Sequence, residues 1–172
     1  MARPDSTEYN PYYGKYIALV PGERIVATLS SQIEETMTFL LGLSDSQGEL
    51  RYAHDKWSIK EVIGHLIDSE RIFSCRALRF ARSDRTPLPG FDENDFVAHA
   101  NFGAVSLAEL ADEYLAVRKG NIYLFKHLAE DVWARRGVAN ENEISVRAIA
   151  YILAGHELHH LGLIRSRYLG IN

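Results

Sequence analysis

Apolar residues recur at three- and four-residue steps in four long segments of this 172-residue chain, which is the period of an amphipathic α-helix. The segments begin near Pro21, Ser58, Ser106 and Ser145. Ser58 and Ser106 are each followed three positions later by a glutamate, the capping-box pattern of a helix start. No alternating segment is long enough to indicate a sheet. The pattern therefore predicts an all-α fold, a four-helix bundle.

The fourth segment, residues 145–168, carries two histidines on its apolar side. The apolar stripe consists of Val146, Ile149, Ile152, Leu153, Leu163 and Ile164. His156 and His160 lie near the middle of this stripe, four residues apart, so their rings point the same way from successive turns. A buried neutral imidazole whose donor or acceptor is unmet costs about 1–3 kcal/mol. Either both rings bond to neighbours in the core, or they bind one divalent metal, and their spacing favours the metal.

A third ligand could come from three upstream histidines, His54, His65 and His99. His65 lies one turn into the second helix, at the flank of its apolar stripe, where a side chain can face the seam with a neighbouring helix. His54 and His99 lie in connections and carry no positional argument. We therefore predict a site of His65, His156 and His160 that leaves positions open for water or substrate. His159 is the alternative for either position on the fourth helix.

Three carboxylates lie near these histidines in the sequence: Asp68, Glu70 and Glu157. Glu70 lies within about 40° of the centre of its helix's apolar stripe, so it requires a partner. Each of the three is a candidate to orient a ligand's second nitrogen or to act as a base. The alternative for each is an ordinary ion pair.

The sequence HELHH at 156–160 also matches the H-E-x-x-H pattern of zincin metalloproteases. A zincin takes its third protein ligand from a position downstream of this pattern. Here Ser166 stands where the metzincin spacing requires histidine, and no glutamate follows Glu157. A protease is therefore the least favoured function.

Residues 1–20 are rich in tyrosine, proline and glycine, and predict an irregular arm packed on the outside of a bundle domain that spans residues 21–172. The connection 83–105 is long, but its three phenylalanines indicate that it is packed, as a wall over one end of the bundle.

Composition narrows the functional classes. The net charge is −4 with both signs interspersed, so nothing suggests nucleic-acid binding. No stretch is apolar enough to span a bilayer, and the N-terminus does not resemble a signal peptide. The single cysteine, Cys75, excludes an internal disulfide and fits a reducing compartment. We expect a cytoplasmic protein that acts on a small molecule, without nucleic-acid or membrane partners.

Two stretches of the sequence resemble a known family: WSIKEVIGHLID at 57–68 and HELHHLG at 156–162. They resemble the DinB superfamily, and within it the YfiT-like metal-dependent hydrolases and bacillithiol S-transferases. The resemblance covers the chain from about residue 21 onward. It implies a four-helix bundle in which His65, His156 and His160 bind a divalent metal. Zinc or nickel is expected first, with iron or manganese as alternatives.

The resemblance also implies a metal-dependent enzyme, either a hydrolase or a thiol S-transferase that uses a low-molecular-weight thiol. The competing hypothesis is a non-catalytic metal-binding or dimerising module. In that case the tyrosines of the arm would suit a contact between two copies, in a homodimer. Open ligand positions beside a pocket would favour the enzyme.

Overall fold

The computed structural model describes residues 2–171, and most of these residues are helical. The α-helices are α1 (Gly14–Ile17), α2 (Ile25–Leu41), α3 (Asp45–Gly48), α4 (Ile59–Ala81), α5 (Glu93–Ala100), α6 (Leu107–Lys126) and α7 (Val146–Leu163). Two strands, β1 (Arg136–Ala139) and β2 (Asn142–Ser145), lie between α6 and α7. Short 3₁₀-helices span Ser6–Glu8, Pro11–Tyr13, Phe102–Ala104 and Glu130–Ala134, and π-helix spans Ile164–Tyr168.

The four long helices α2, α4, α6 and α7 form a bundle, as the sequence pattern predicts. Helix α2 packs on α6 and α7, and α4 packs on the same two helices. Each of the first two long helices therefore has the last two as its main neighbours. As a result, α4 and α7, which carry the predicted metal ligands, lie side by side.

The predicted capping boxes are confirmed. The hydroxyl of Ser58 accepts from the backbone N–H of Glu61, whose carboxylate accepts from the backbone N–H of Ser58, and Ser106 starts α6 in the same way. Helix α2 begins at Ile25, four residues later than Pro21 suggests. Gly22 has a φ of +65°, a left-handed conformation that turns the chain before the helix can begin.

The expectation that the chain has no sheet is wrong in one place. Strands β1 and β2 form an antiparallel hairpin in which Arg136 pairs with Ser145. Its turn residues Asn140 and Glu141 both have positive φ, as a type I′ turn requires. The hairpin is difficult to predict from the sequence, because each strand has only four residues and the second turn position is glutamate rather than the usual glycine.

Two segments expected to be irregular are partly helical. The connection 83–105 contains α5, whose start is capped by Asp92, and α5 packs on α4. The N-terminal segment contains α1, which packs along α7. Tyr16 of α1 is buried rather than external, and a Cβ on Gly155 would collide with its carbonyl oxygen. The close approach of the two helices therefore depends on the glycine. The domain boundary near residue 21 stays a prediction.

A buried polar layer divides the core into two apolar clusters, one toward each end of the bundle. Each long helix contributes to the centre of this layer, through Thr36, Glu70, Arg118 and Glu157. Helix α6 adds Asn121, which donates to Glu70, and Tyr114, which accepts from Arg118. Arg118 binds Glu70 through Nη2 at 2.6 Å and Glu157 through Nη1 at 2.8 Å, and Thr36 donates to Glu157. Because burying a charge without a partner is costly, this layer fixes the helices in register.

Among residues 2–171, no helix combines the length and the apolar character that crossing a membrane would require.

Candidate metal centre

The three predicted histidines come together at the seam between α4 and α7. Nε2 of His65 lies 3.1 Å from Nε2 of His156, which in turn lies 3.0 Å from Nε2 of His160. One ligand atom from each of the three lies within 4.8 Å of the other two. The flank position of His65 therefore faces α7, as its place on the helix suggested.

The spacing of these nitrogens fits a single metal ion. Ligand nitrogens about 2.0–2.1 Å from one ion, at angles of about 90–110°, stand roughly 2.9–3.4 Å apart. The two Nε2 distances fall within this range. Hydrogen bonds alone satisfy this group poorly, because neutral imidazoles offer only one N–H each. Three lone pairs directed at one point are the donor set of a divalent metal site.

Burial keeps these imidazoles neutral, which is the form that binds a metal. It lowers the pKa of His65 to about 4. Burial, together with the neighbouring His65, lowers the pKa of His160 to about 3. The pKa of His156 is held well below its usual range by burial and then by His160. At neutral pH all three rings therefore have a lone pair available without first losing a proton.

Aromatic rings hold the histidines in place. The centroid of the Trp57 ring lies 4.9 Å from that of His65. Tyr16 meets the rings of His156 and His159 edge-on, with centroid separations of 5.2 Å in both cases. Tyr16 belongs to the N-terminal segment, so this segment supports the site directly. Its role was not predicted, because periodicity in a short segment does not indicate what lies against it.

The three histidines line a cavity of about 620 Å³. Its walls come from the N-terminal segment, from α4 and α7, from the chain around the start of α5 and from the β1–β2 hairpin. Besides the three histidines, the lining includes Tyr13, Tyr16, Phe73, Arg76, Phe91, Glu93 and His159. A cavity of this size suits a small organic molecule.

The other candidate histidines differ in whether they line the cavity. His159 lines the cavity but does not belong to the group of three. His54 is exposed and contacts Asp55, while Nδ1 of His99 lies 2.7 Å from the backbone oxygen of Asp95. Neither His54 nor His99 lines the cavity.

The three candidate carboxylates point elsewhere. Glu70 and Glu157 are buried and bind Arg118, and Asp68 lies 3.8 Å from Arg71. None of the three lines the cavity. Arg118 was missed from the sequence, although it stands one turn after Tyr114 on the buried side of α6. The position of a charged residue on the apolar stripe of α6 is the sequence feature that could have predicted this buried ion pair.

Comparison with known sequences agrees with this geometry. The sequence model of the DinB superfamily matches residues 28–164, a range that includes all three histidines. The chain is also 25% identical over 147 residues to a protein of Oceanobacillus iheyensis named "putative metal-dependent hydrolase". That alignment covers 81% of this chain and 79% of the relative.

Solved structures share the fold. YfiT from Bacillus subtilis, described as a probable metal-dependent hydrolase with an unusual four-helix bundle topology, matches with a TM-score of 0.68 at 17% identity. The match covers 99% of this chain and 95% of YfiT. A mycothiol-dependent maleylpyruvate isomerase matches with a TM-score of 0.65 at 12% identity, over 84% of this chain and 61% of the isomerase.

Proposed function

The chain belongs to the DinB superfamily, and on that premise we propose that it is a divalent-metal-dependent hydrolase of a small molecule, with His65, His156 and His160 as the metal ligands. One observation carries the proposal. The three Nε2 atoms meet at the wall of a cavity, and among residues 2–171 no fourth histidine, cysteine or carboxylate joins them. A structural metal site would be closed by a fourth side chain, whereas a catalytic site keeps a position open.

A bound divalent cation supplies a Lewis acid that polarises an oxygen or sulfur atom and lowers the pKa of a coordinated water. The protein's part is to hold three neutral imidazoles in place and to limit the access of water. Burial of the rings and the packing of Trp57 and Tyr16 against them provide both. Zinc and nickel are the first choices for a set of three imidazoles, with iron or manganese as alternatives.

His159 is our choice for proton transfer in place of the three carboxylates. It lines the cavity, its ring centroid lies 5.1 Å from that of His160, and no described residue hydrogen-bonds its ring nitrogens. Burial and the charge of Lys15 lower its pKa, so its ring is neutral and able to accept a proton at neutral pH.

Thiol S-transfer is the second candidate. It is supported by the shared fold with an isomerase described as mycothiol-dependent, and by a cavity large enough for a small thiol beside a second substrate. The same three histidines would then position a metal that activates the sulfur of a low-molecular-weight thiol. The only cysteine, Cys75, is exposed and does not line the cavity, so the sulfur would come from the ligand.

The two remaining functions fit less well. In a zincin the glutamate of H-E-x-x-H is the base, but here Glu157 is bound to Arg118 and Thr36. In a dimerising module the tyrosines of the N-terminal segment would face a second copy, whereas Tyr16 is buried and Tyr13 partly buried where they line the cavity; Tyr12, also at the cavity, is 57% exposed. A homodimer and a cytoplasmic location stay predictions; the single unpaired cysteine supports the latter.

The test begins with protein purified without a histidine tag and with measurement of its bound metals. Metal-free protein is then reloaded separately with zinc and nickel. Each form is assayed with a panel of esters, amides and lactones, and with small thiols paired with an electrophile. We expect hydrolysis that disappears on chelation and in His156→Ala. Thiol transfer with no hydrolysis would favour the second candidate, and activity that survives both treatments would contradict the proposal.

A further inference from the structure

A buried cation, Arg76, lies in the wall of the cavity that the three histidines line. Arg76 is only 5% exposed and stands eleven residues after His65 on α4. Eleven residues make about three helical turns, so the two side chains leave the helix within about 20° of each other. Ser69 and Phe73 occupy the same face between them and also line the cavity. One face of α4 thus forms a continuous wall from the histidines to Arg76.

The charge of Arg76 has no carboxylate partner within the described part of the chain. Its Nη2 donates to the backbone oxygen of Pro89 at 2.9 Å, and no other hydrogen bond from Arg76 is formed there. A guanidinium has five N–H donors, so most of its capacity is left over. Phe73 and Phe91 flank it, with ring centroids 5.1 and 5.9 Å from its Cζ.

The other buried cations of residues 2–171 are paired with carboxylates. Arg118 binds Glu70 and Glu157. Lys60 binds Glu49 at 2.7 Å and lies 3.5 Å from Asp45. Burying an unpaired charge is expensive, and burial lowers the pKa of Arg76 for this reason. An unpaired guanidinium in a cavity wall is therefore the signature of a site whose anion is supplied from outside the chain.

We propose that Arg76 binds a carboxylate of the ligand, so that the cavity accepts an elongated anionic molecule with its reacting group at the three histidines. The position of the reacting group rests on the proposed function, whereas the carboxylate site does not. The planar guanidinium can donate two parallel hydrogen bonds to a carboxylate. The aromatic rings of Phe73 and Phe91 pack beside the guanidinium and restrict its orientation.

The helix sets the length of such a ligand. The Cα atoms of His65 and Arg76 are separated by about 16 Å along the axis of α4, at 1.5 Å per residue. Side chains on a helix lean toward its N-terminus at both positions, so the lean shifts the two groups together and leaves most of this separation in place. The ligand therefore needs several bonds between its carboxylate and its reacting group.

Two charged groups at the cavity bear on this proposal. Glu93 lines the cavity as well, and within the described residues no ion pair joins it to Arg76. Lys15 is exposed, with its ammonium 4.0 Å from the ring centroid of Tyr12. It adds positive charge at the mouth, which favours the entry of an anion.

The experiment compares two probes of the same shape, one charged and one neutral: 6-phenylhexanoate and its amide, 6-phenylhexanamide. Their dissociation constants are measured by ligand-observed NMR on the full-length protein, both loaded with zinc and stripped with chelator. We expect the carboxylate to bind at least tenfold more tightly than the amide in both states. Arg76→Gln should reduce this preference to less than threefold while leaving the affinity for the amide unchanged within twofold.

Two further variants complete the design. Arg79→Gln is the matched control, since Arg79 lies on the same helix but pairs with Asp84 away from the cavity, and it should keep the full preference. If Arg76→Gln does not fold, Arg76→Lys replaces it and should lose at least threefold of the preference. The proposal is overturned by equal binding of the probes, by no carboxylate binding, by a preference that needs zinc, or by one that survives replacement of Arg76. Zinc content of the same samples tests the metal site separately.

Discussion

Nη1 of Arg118 lies 2.8 Å from Oε2 of Glu157, in a layer of the bundle where both residues are fully buried. Because of this contact, His156 and Glu157 direct their side chains to different parts of the structure, although they are adjacent in the sequence. His156 faces the cavity, and Glu157 faces the core between the helices. The H-E-x-x-H pattern therefore carries two metal-ligand candidates and a structural ion pair.

Replacing this glutamate should affect stability more than chemistry. Glu157→Gln keeps the shape of the side chain but removes the charge facing Arg118, and should cost about 1–3 kcal/mol in the free energy of unfolding. Metal content should be unchanged, and activity should fall by far less than the 10²–10⁴-fold typical of losing a general base. Denaturant unfolding, metal analysis and a peptide-library digest measure these effects.

Arg118→Gln is the matched variant for that experiment. It leaves Glu70 and Glu157 buried without their cation, so it should cost more, about 3–5 kcal/mol. Metal-dependent proteolysis that disappears in Glu157→Gln would instead establish the glutamate as a base and support the protease.

Metal binding should depend on three histidines and no others. His65→Ala, His156→Ala and His160→Ala should each abolish or sharply weaken metal binding, because each removes one of three converging nitrogens. His54→Ala, His99→Ala and His127→Ala are the controls and should retain the metal. Elemental analysis after dialysis makes the comparison. Full occupancy in His65→Ala would show that the third ligand is assigned wrongly.

Acid should destabilise the metal-free protein in a defined window. In the unfolded chain histidine titrates near 6.5, whereas in the fold the pKa of His65 is about 4 and that of His160 about 3. Well above pH 6.5 neither state is protonated, and these groups do not change the free energy of unfolding. Below it the unfolded state binds protons that the folded state does not, so stability falls as pH drops from 6.5 toward 3–4. Thermal melting between pH 8 and pH 4 measures this.

Metal should shift that window. Bound metal excludes protons from the same nitrogens, so the loss of stability should begin at lower pH when zinc is present. His65→Gln should make the slope of the metal-free protein shallower, while His54→Ala should leave it unchanged. A metal-dependent melting shift that stays constant from pH 8 to pH 4 would count against histidine ligation.

Replacing each of two glycines of α7 with alanine should have opposite effects on the stability of the protein. A Cβ on Gly155 would meet the backbone of Tyr16, so Gly155→Ala should destabilise the protein by about 1–3 kcal/mol and weaken metal binding by displacing Tyr16 from His156. Gly162 has open space at the same point, and Gly162→Ala should stabilise the helix by up to about 1 kcal/mol. Equal effects of the two substitutions would argue against this contact.

The sequence by itself determined the long helices and the core of the candidate site. Helical periodicity reports which residues of a segment share a face, and capping boxes report where a helix starts. Both are local properties, so α4, α6 and α7 could be assigned without coordinates. The histidines could be grouped for the same reason: His156 and His160 lie on one stripe, and His65 lies at the edge of another.

Only the tertiary structure decided what meets those faces. Nothing in local periodicity pairs Glu157 with Arg118, 39 residues away, or places Tyr16 against His156. The β1–β2 hairpin was not predicted, because its strands are short and its turn lacks the usual glycine. Arg76 is unremarkable as a sequence position. It becomes a candidate site because packing buries it in a cavity wall without a carboxylate beside it, and the cost of burying a charge depends on every group around it.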